Sequence, residues 1–396
     1  MRTLPTPRAV ARHLFTSYEK YRLNRLGHAN CKHRRIEQEL SRLVAASGAL
    51  LRMETVGRSV EGRSINLISC GSGGKTILLW SQMHGDESTA TLALMDIFHF
   101  VVRQSVREPW VKRLLQKTTL RVIPMLNPDG AQRVQRQTAV HIDMNRDALA
   151  LATPEARILR MIHRRCAPAY GFNLHDQPVS SVGASSNVAA IALLAPAVDE
   201  KNSVPLVRKR AIRVAAVIAH SLRPLIGGHI ARYDNTFEPR AFGDNMQHWG
   251  TSTVLIESGH WPNDPEKHFV RRVSVAAIVS ALWAVATGSL HDATPADYTD
   301  LPLNGKSVYD ILIRNVVLEH PDGWRHPVDI GLMMAHGRRT GSRRDAITIQ
   351  QIGDLHTSTG LEVIPGRKGR LASNEISVDK TLSLEKLLAL LRLRHV

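Results

Sequence analysis

The stretch TILLWSQMHGDE, residues 76–87, contains the pattern that decides the fold. A short apolar run, TILLWSQM, leads into His84, and a longer helical pattern then runs from Glu87 to Val106. From Thr76 onward, short apolar runs and helical patterns alternate in this way. Such alternation is typical of an α/β sheet covered by helices on both faces. The sequence therefore predicts a mixed, mainly parallel α/β domain.

Further apolar runs and helical patterns continue the alternation along the chain. The later predicted strands are TLRVIPML (119–126), GFNL (171–174), VAAIALL (188–194) and STVLI (252–256). The predicted helices cover residues 155–163, 206–222 and 265–286. The last helical pattern overlaps the apolar stretch Val275–Gly288, which is shorter than the ~20 residues that a membrane span needs. We therefore expect a buried helix there and no contact with a membrane.

Changes in composition and in hydrophobic pattern along the sequence predict that the chain has three parts. Residues 1–35 are basic and irregular, and we expect them to form an N-terminal arm. Residues 36–290 contain the alternation of strands and helices and are expected to form the main domain. The pieces after this point are shorter and β-like, and turns rich in Gly, Pro and Arg separate them. Residues 291–396 are therefore predicted to form a smaller, β-rich accessory domain that ends in an amphipathic helix over 381–393. We expect this helix to pack on its own domain, and packing on a partner helix is the alternative.

The net charge is strongly positive but points to no particular partner. The chain has 52 Lys and Arg residues against 35 Asp and Glu residues, which gives a net charge of +17. Such a charge attracts anions in general and says little about fold or chemistry. Because no zinc-finger, RNP-type or KH-type pattern accompanies it, nucleic acid is not the expected partner. The pattern predicts no oligomeric state.

The cysteines and the first residues bear on the cellular compartment. Cys31, Cys70 and Cys166 are far apart and in no CxxC pair, which indicates neither a disulfide framework nor a cysteine zinc site. The first thirty residues contain no apolar segment like that of a secretory signal. We therefore expect a cytoplasmic protein.

Four predicted strands lead into polar residues that an apolar pattern does not explain: His84, Asn127, His175 and Glu257. Parallel strands place their carboxyl ends at one edge of a sheet, where open α/β sheets bind ligands. Any one of these residues taken alone is well explained as a simple transition from strand to loop. Together they predict a single polar site.

The chemistry of this group indicates zinc. His84 and Glu87 lie three residues apart where a strand turns into a helix, and His175 comes from another strand. Two imidazoles and one carboxylate form a ligand set that holds catalytic zinc and leaves a position for water. Such a site needs a base nearby, and Glu257 is the candidate. The structural alternatives are hydrogen-bonded core histidines and a salt bridge from Glu257 to an arginine.

The segment Asn127–Asp147 adds groups that bind anions. It contains Arg133, Arg136, Asn145 and Arg146. A guanidinium fork suits a carboxylate or a developing oxyanion, and an asparagine amide adds a further donor. In a chain this basic, however, an arginine is usually a solvated surface charge.

Seven separated motifs follow one another in a specific order: GRSVEGR (57–63), HGDE (84–87), NPDG (127–130), Arg136, IDMNR (142–146), LHDQ (174–177) and LIESG (255–259). In this order they resemble the zinc carboxypeptidase family, whose founding member is carboxypeptidase A. The resemblance spans about residues 50–290. It implies the fold of that family and one zinc ion per chain.

The resemblance also implies roles for single residues. His84, Glu87 and His175 match the zinc ligands, Glu257 matches the general base, and Asp143 matches a carboxylate that orients the first histidine. That last role agrees with the general behaviour of metal-bound imidazoles, which donate their other N–H to such a partner.

The remaining matches concern the substrate. Arg136 matches the arginine that polarises the scissile carbonyl, and Asn145 and Arg146 match the pair that binds the terminal carboxylate. Arg133 lies where the family often has an auxiliary basic residue. Tyr233 is either the tyrosine that closes over substrate or an ordinary wall residue.

The side-chain preference stays open at this stage. Arg240 and Asp244 both fall in the loop where the family sets this preference, and they favour opposite charges.

The expected activity is that of a zinc metallocarboxypeptidase acting on a peptide with a free C-terminal carboxylate. Two alternatives use the same residues. One is a zinc deacylase or amidase acting on a small acylated amino acid or a cell-wall peptide. The other is a module that binds peptide C-termini without turnover.

Overall fold

An eight-stranded mixed sheet forms the centre of the computed structural model, which describes residues 4–334, 346–367 and 369–391. The first nine strands are β1 (Leu51–Arg58), β2 (Ser64–Cys70), β3 (Lys75–Ser81), β4 (Thr118–Ile123), β5 (Tyr170–Asp176), β6 (Ser181–Val182), β7 (Ile191–Leu194), β8 (Ile230–Arg232) and β9 (Ser252–Ser258). The order in the large sheet is β1-β2-β4-β3-β5-β9-β7-β8. Its central strands β4, β3, β5 and β9 are parallel, and antiparallel pairs join them to β2 on one side and β7 on the other.

Helices cover both faces of this sheet. The α-helices of the main part are α1 (Pro7–Ser17), α2 (His33–Ala46), α3 (Thr89–Gln104), α4 (Pro109–Lys117), α5 (Pro128–Arg133), α6 (Pro154–Cys166), α7 (Leu206–Ile226), α8 (Phe242–His248), α9 (His268–Thr287) and α10 (Ala296–Thr299), and α11 (Leu384–Leu390) follows in the C-terminal part. Strand β3 shows the two layers, because Ile77 and Leu79 pack with α3 and α9 while Leu78 and Trp80 pack with α6 and α8. Successive side chains of a strand point to opposite faces, so both faces are buried. The predicted fold class is confirmed.

Helix α9 is long and apolar enough to cross a membrane, yet 89% of its most apolar window is buried inside the protein. It contains the stretch predicted to be a buried helix except for the last residue, Gly288, which caps the helix. Its side chains pack against α1, α3 and α7 in the hydrophobic core on the face of the sheet that Ile77 and Leu79 share.

The N-terminal segment differs from the prediction of a basic arm over residues 1–35. Val10, Leu14 and Tyr18 are buried in the same core as α9. The Tyr18 hydroxyl also donates to Asp96, 2.7 Å away, and Asp96 is paired with the buried Arg271. The arginines of α1 lie on its exposed face, so α1 is an ordinary amphipathic helix. Their positive charge is the reason why the sequence of this segment resembles a solvated arm. The folded unit therefore begins at about residue 7 and not near 36.

The boundary predicted near residue 290 also lies too early. Tyr298 of α10 is buried in the main core, and its hydroxyl accepts a hydrogen bond from the backbone N–H of Ala195 at 3.0 Å. The β-rich part starts at residue 304 and contains β10 (Asn304–Gly305), β11 (Val308–Glu319), β12 (Arg325–Met334), β13 (Ile347–Gly353), β14 (Thr359–Pro365), β15 (Arg370–Ala372) and β16 (Thr381–Leu382). Residues 291–303 thus belong structurally to the main domain.

A second sheet, with the order β14-β11-β12-β13-β16 and with β15 beside β11, forms the C-terminal part. Helix α11 packs Leu384, Leu387 and Leu388 onto this sheet. The helix predicted over 381–393 starts too early, because Thr381 and Leu382 form β16 and the Ser383 side chain caps α11. The end of that predicted helix, residues 392–393, lies outside the described residues.

The two parts of the protein meet close to the carboxyl end of β5. Strand β10 pairs with β6, and the Asn304 side-chain amide donates to Gln177 at 2.7 Å. Val308 packs against Val179 and Val188. The β-rich part therefore borders the edge of the sheet where the predicted site lies.

Candidate metal centre and substrate cleft

The parallel strands bring the predicted polar residues to one edge of the sheet. In the register of β5 and β9, His175 lies directly beside Glu257. His84 and Glu87 follow β3, which pairs with β5 on its other side. The prediction that these strand ends meet is confirmed for these residues.

The turn that carries His84 and Glu87 needs glycine at its second position. A Cβ atom on Gly85 would lie 2.0 Å from the carbonyl carbon of Gly130, so only glycine lets this turn pack against the start of α5. The Asn127 side chain ties the two segments together, since it donates to the carbonyl of Met83 at 3.2 Å and accepts from the N–H of Gly130. Asn127 therefore positions the turn and is not among the residues that line the cleft.

His84, Glu87 and His175 form a compact group that can hold a metal ion. The two carboxylate oxygens of Glu87 lie 2.7 Å from the Nδ1 atoms of His84 and His175, respectively. The three candidate ligand atoms all lie within 4.8 Å of one another, and both histidines are only 2% exposed. Two imidazole nitrogens and one carboxylate oxygen are donors that suit zinc. The chemistry of the donor set therefore fits the zinc ion that the family implies.

Asp143 lies behind this group, as the resemblance implied. Its carboxylate accepts from Nε2 of His84 at 3.1 Å and from Nε of Arg136 at 3.1 Å. Burial opposes ionisation of Asp143, but the hydrogen bond from His84 and the charges of His84 and Arg136 lower its pKa on balance. An ionised Asp143 holds the His84 ring with Nδ1 towards Glu87.

Glu257 lies at the same edge and faces the cleft. It is 7% exposed, and its Oε2 atom has no hydrogen-bond partner among the described residues. Burial and the nearby charge of Glu87 raise its pKa well above the usual value for a glutamate. The alternative of a salt bridge to an arginine finds no support, since no ion pair of Glu257 occurs in the described part of the chain.

A cavity of about 480 Å³ joins these groups to the predicted substrate residues. Arg136, Asn145, Arg146 and Tyr233 all line it. A volume of this size is typical of small-ligand sites. The charge of Glu257, together with burial, raises the pKa of Tyr233 to about 12, so its hydroxyl stays protonated and can donate a hydrogen bond.

Two arginines considered from the sequence, Arg133 and Arg240, do not line the cleft. Arg133 points away from it and pairs with Glu61. The structure thus does not bring Arg133 to the substrate residues. Arg240 is exposed and binds Glu238, whereas Asp244 lines the cleft, where burial raises its pKa to about 6.

Several cleft residues were missed by reasoning from the sequence. His28 comes from the N-terminal segment, Asp310 and Met334 come from the β-rich part, and Lys267 pairs with Asp176 at 3.2 Å. Each reaches the cleft through tertiary packing, so no local pattern marks it. Glu238, another lining residue, forms an ion pair with Arg146.

Fold and site together define the class as a carboxypeptidase-like α/β domain with a candidate metal centre. Residues 36–174 match the family described as zinc carboxypeptidase. The resemblance to this family is thereby confirmed.

Curated relatives and solved structures agree with this class. Carboxypeptidase 2 of Trichophyton tonsurans is 28% identical over 100 residues, which are 25% of this chain and 18% of the relative. Carboxypeptidase M of Mus musculus is 25% identical over 95 residues, covering 22% and 21% of the two chains. The matched part thus spans only about a fifth of the length of these curated relatives.

Among solved structures, a metallo-carboxypeptidase from Burkholderia cenocepacia superposes with a TM-score of 0.53 and 15% identity, over 65% of this chain and 69% of the other. Carboxypeptidase A from Helicoverpa armigera gives a TM-score of 0.54 and 15% identity, over 71% and 80%. At such identities the likeness establishes the shared fold.

Proposed function

We propose that the protein is a zinc-dependent metallocarboxypeptidase that removes the C-terminal residue of a peptide. The observation that carries this proposal is the convergence of His84, Glu87 and His175 beside Glu257, in a cavity that also contains Arg146. These groups come from strand ends and turns that are distant in the sequence. A purely structural role would not require them to share one cleft.

His84, Glu87 and His175 would hold the zinc ion. When bound, zinc supplies a Lewis acid that polarises the scissile carbonyl and acidifies a water molecule. Asp143 keeps His84 in the orientation and tautomer needed for binding.

The substrate carboxylate would bind at the end of the cleft formed by Asn145 and Arg146. The Asn145 side-chain oxygen accepts from the backbone N–H of Phe242 at 3.0 Å, which leaves its NH₂ group to donate to substrate. A guanidinium donates to a carboxylate in a fork geometry. These contacts place the last peptide bond near the metal ligands.

Arg136 would donate to the carbonyl oxygen of that bond as negative charge develops on it. Its side chain is held by Asp143 and lies 3.4 Å from Glu87 through Nη1. Preorganised donors of this kind act mainly in the transition state.

Glu257 would accept the proton of the attacking water and pass it to the leaving amine. A carboxylate whose pKa is raised is a stronger base than an ordinary glutamate, and the burial of Glu257 has this effect. The same residue then acts as the acid, because the protonated form is stabilised by the same surroundings.

The test is cleavage of a peptide set with free or amidated C-termini by the zinc-loaded protein. We expect cleavage of the free forms alone and loss of turnover in Glu257→Gln, while the exposed Glu200→Gln serves as the matched control. Equal cleavage of the amidated forms would favour an amidase. Binding of zinc without hydrolysis of any peptide would favour a binding module.

A further inference from the structure

We propose that Glu238 is a specificity-determining residue that competes, as an internal carboxylate, with the C-terminal carboxylate of the substrate for Arg146. This inference rests on the proposed function, which assigns Arg146 to that carboxylate. It adds a residue from the loop between β8 and α8 to the carboxylate-binding end of the cleft.

The ion pair that carries the inference lies in the cleft itself. Oε2 of Glu238 is 3.1 Å from Nε of Arg146, and both residues line the cavity. Nη1 of Arg146 meanwhile donates to the carbonyl of Asn145 at 2.8 Å. Donors on both sides of the guanidinium are thus already engaged by the protein.

Glu238 is held in this place from its other side. Its carboxylate accepts from Nε and Nη2 of Arg240 at 2.9 and 2.8 Å, while its own backbone N–H donates to Asp244 at 3.3 Å. The carboxylate therefore bridges two arginines, one in the cleft and one at the surface. It can give up Arg146 and remain paired with Arg240.

This arrangement makes binding an exchange of one carboxylate for another. The free energy that a ligand gains by binding Arg146 is reduced by the free energy of the contact between Arg146 and Glu238, because that contact is lost on binding. A peptide carboxylate that also contacts the Asn145 amide gains more free energy than the lost contact with Glu238 costs. A neutral terminus or a simple anion lacks this second contact and meets an arginine whose charge Glu238 already neutralises. Glu238 thus lowers affinity for anions in general and favours ligands that contact both Arg146 and Asn145.

The experiment measures binding without turnover. Full-length, zinc-loaded Glu257→Gln protein is titrated calorimetrically with acetyl-trialanine and with its C-terminal amide. The same titrations are made after adding Glu238→Gln, Glu238→Asp or the control Glu200→Gln. Thermal melting of each variant checks that the fold is retained.

We expect Glu238→Gln to bind the free acid about two- to fivefold more tightly, the range that a partly exposed ion pair contributes. The gain shrinks at high salt, because the competing charge is screened. The affinity for the amide does not increase in Glu238→Gln. The affinity for the free acid increases less in Glu238→Asp than in Glu238→Gln, and it is the same in Glu200→Gln as in the parent. Unchanged or weaker binding of the acid by Glu238→Gln would overturn the inference, since it would make Glu238 a support for Arg146.

Failure of the proposed function has a different signature. If the parent protein binds acid and amide equally well and Glu238→Gln does not change this, carboxylate recognition by Arg146 is absent, and both proposals fall. If the parent prefers the acid and only the gain in Glu238→Gln is missing, the inference about Glu238 alone is wrong.

Discussion

Replacement of Asp143 by alanine should weaken zinc binding without unfolding the protein. The Asp143 carboxylate is the acceptor for Nε2 of His84, at 3.1 Å, and its removal leaves the imidazole free to rotate or to change tautomer. Loss of such an outer partner generally costs 10- to 100-fold in metal affinity. Asp143 is a quarter exposed, so water can replace part of the contact, and we expect the lower half of that range, about 10- to 30-fold.

The assay is the zinc dissociation constant, measured by competition with a chelator at fixed pH. Asp143→Asn keeps an acceptor oxygen and should stay within about threefold of the wild type, as a carboxylate and an amide oxygen both accept this bond. Asp300→Ala, at an exposed carboxylate far along the chain, is the control. A zinc affinity of folded Asp143→Ala within twofold of the wild type would refute the orienting role.

Three further predictions address catalysis, stability and pH. Arg136→Ala should lower kcat by about 10²-fold, because it removes an oxyanion donor. Steady-state kinetics on the peptide with a free C-terminus measures this, and a change confined to KM would contradict the role. Asp96→Ala should lower the free energy of unfolding by about 3–5 kcal/mol, because it leaves the guanidinium of Arg271, only 1% exposed, buried without its carboxylate partner. Denaturant unfolding measures this change, and a loss below about 1 kcal/mol would contradict the prediction. Burial raises the pKa of Asp244 to about 6, above the ~3.9 of the unfolded chain, so the stabilisation from protonated Asp244 is present below pH 4 and is lost as pH rises through 6. Asp244→Asn should consequently be more stable than the wild type above pH 6 and lose this advantage towards pH 4, and parallel stability curves across this range would contradict the assignment.

The strand ends were predictable because their signal is local. Each run such as TILLWSQM or STVLI is apolar until the sheet ends, and a polar residue at that point marks the edge of a parallel sheet. His84, His175 and Glu257 could be placed together on this basis, and the structure brings them together.

The ends of the main domain were not predictable in the same way. In α1 the exposed basic residues Arg8 and Arg12 are interspersed with the apolar residues that face the core, so the local composition resembles a solvated arm. Only the packing of Leu14 and Tyr18 against distant α9 shows that this helix belongs to the core. Tyr298 similarly joins the main core through a contact with Ala195, a hundred residues earlier.

The walls of the cleft depend on tertiary structure even more strongly. Asp310 and Met334 reach the cavity because β10 pairs with β6, and no pattern near either residue encodes that pairing. The contact of Glu238 with Arg146 joins two loops that are about ninety residues apart. Sequence motifs could therefore identify the residues of the candidate metal centre but not those that shape the space around it.

Anomalous diffraction at the zinc edge, on crystals of the zinc-loaded protein, tests the central claim most directly. We expect one peak per chain, about 2.0–2.2 Å from Nδ1 of His84, Nδ1 of His175 and a carboxylate oxygen of Glu87. A peak at another position, or no peak in crystals that retain the fold, would contradict the assignment of the metal centre.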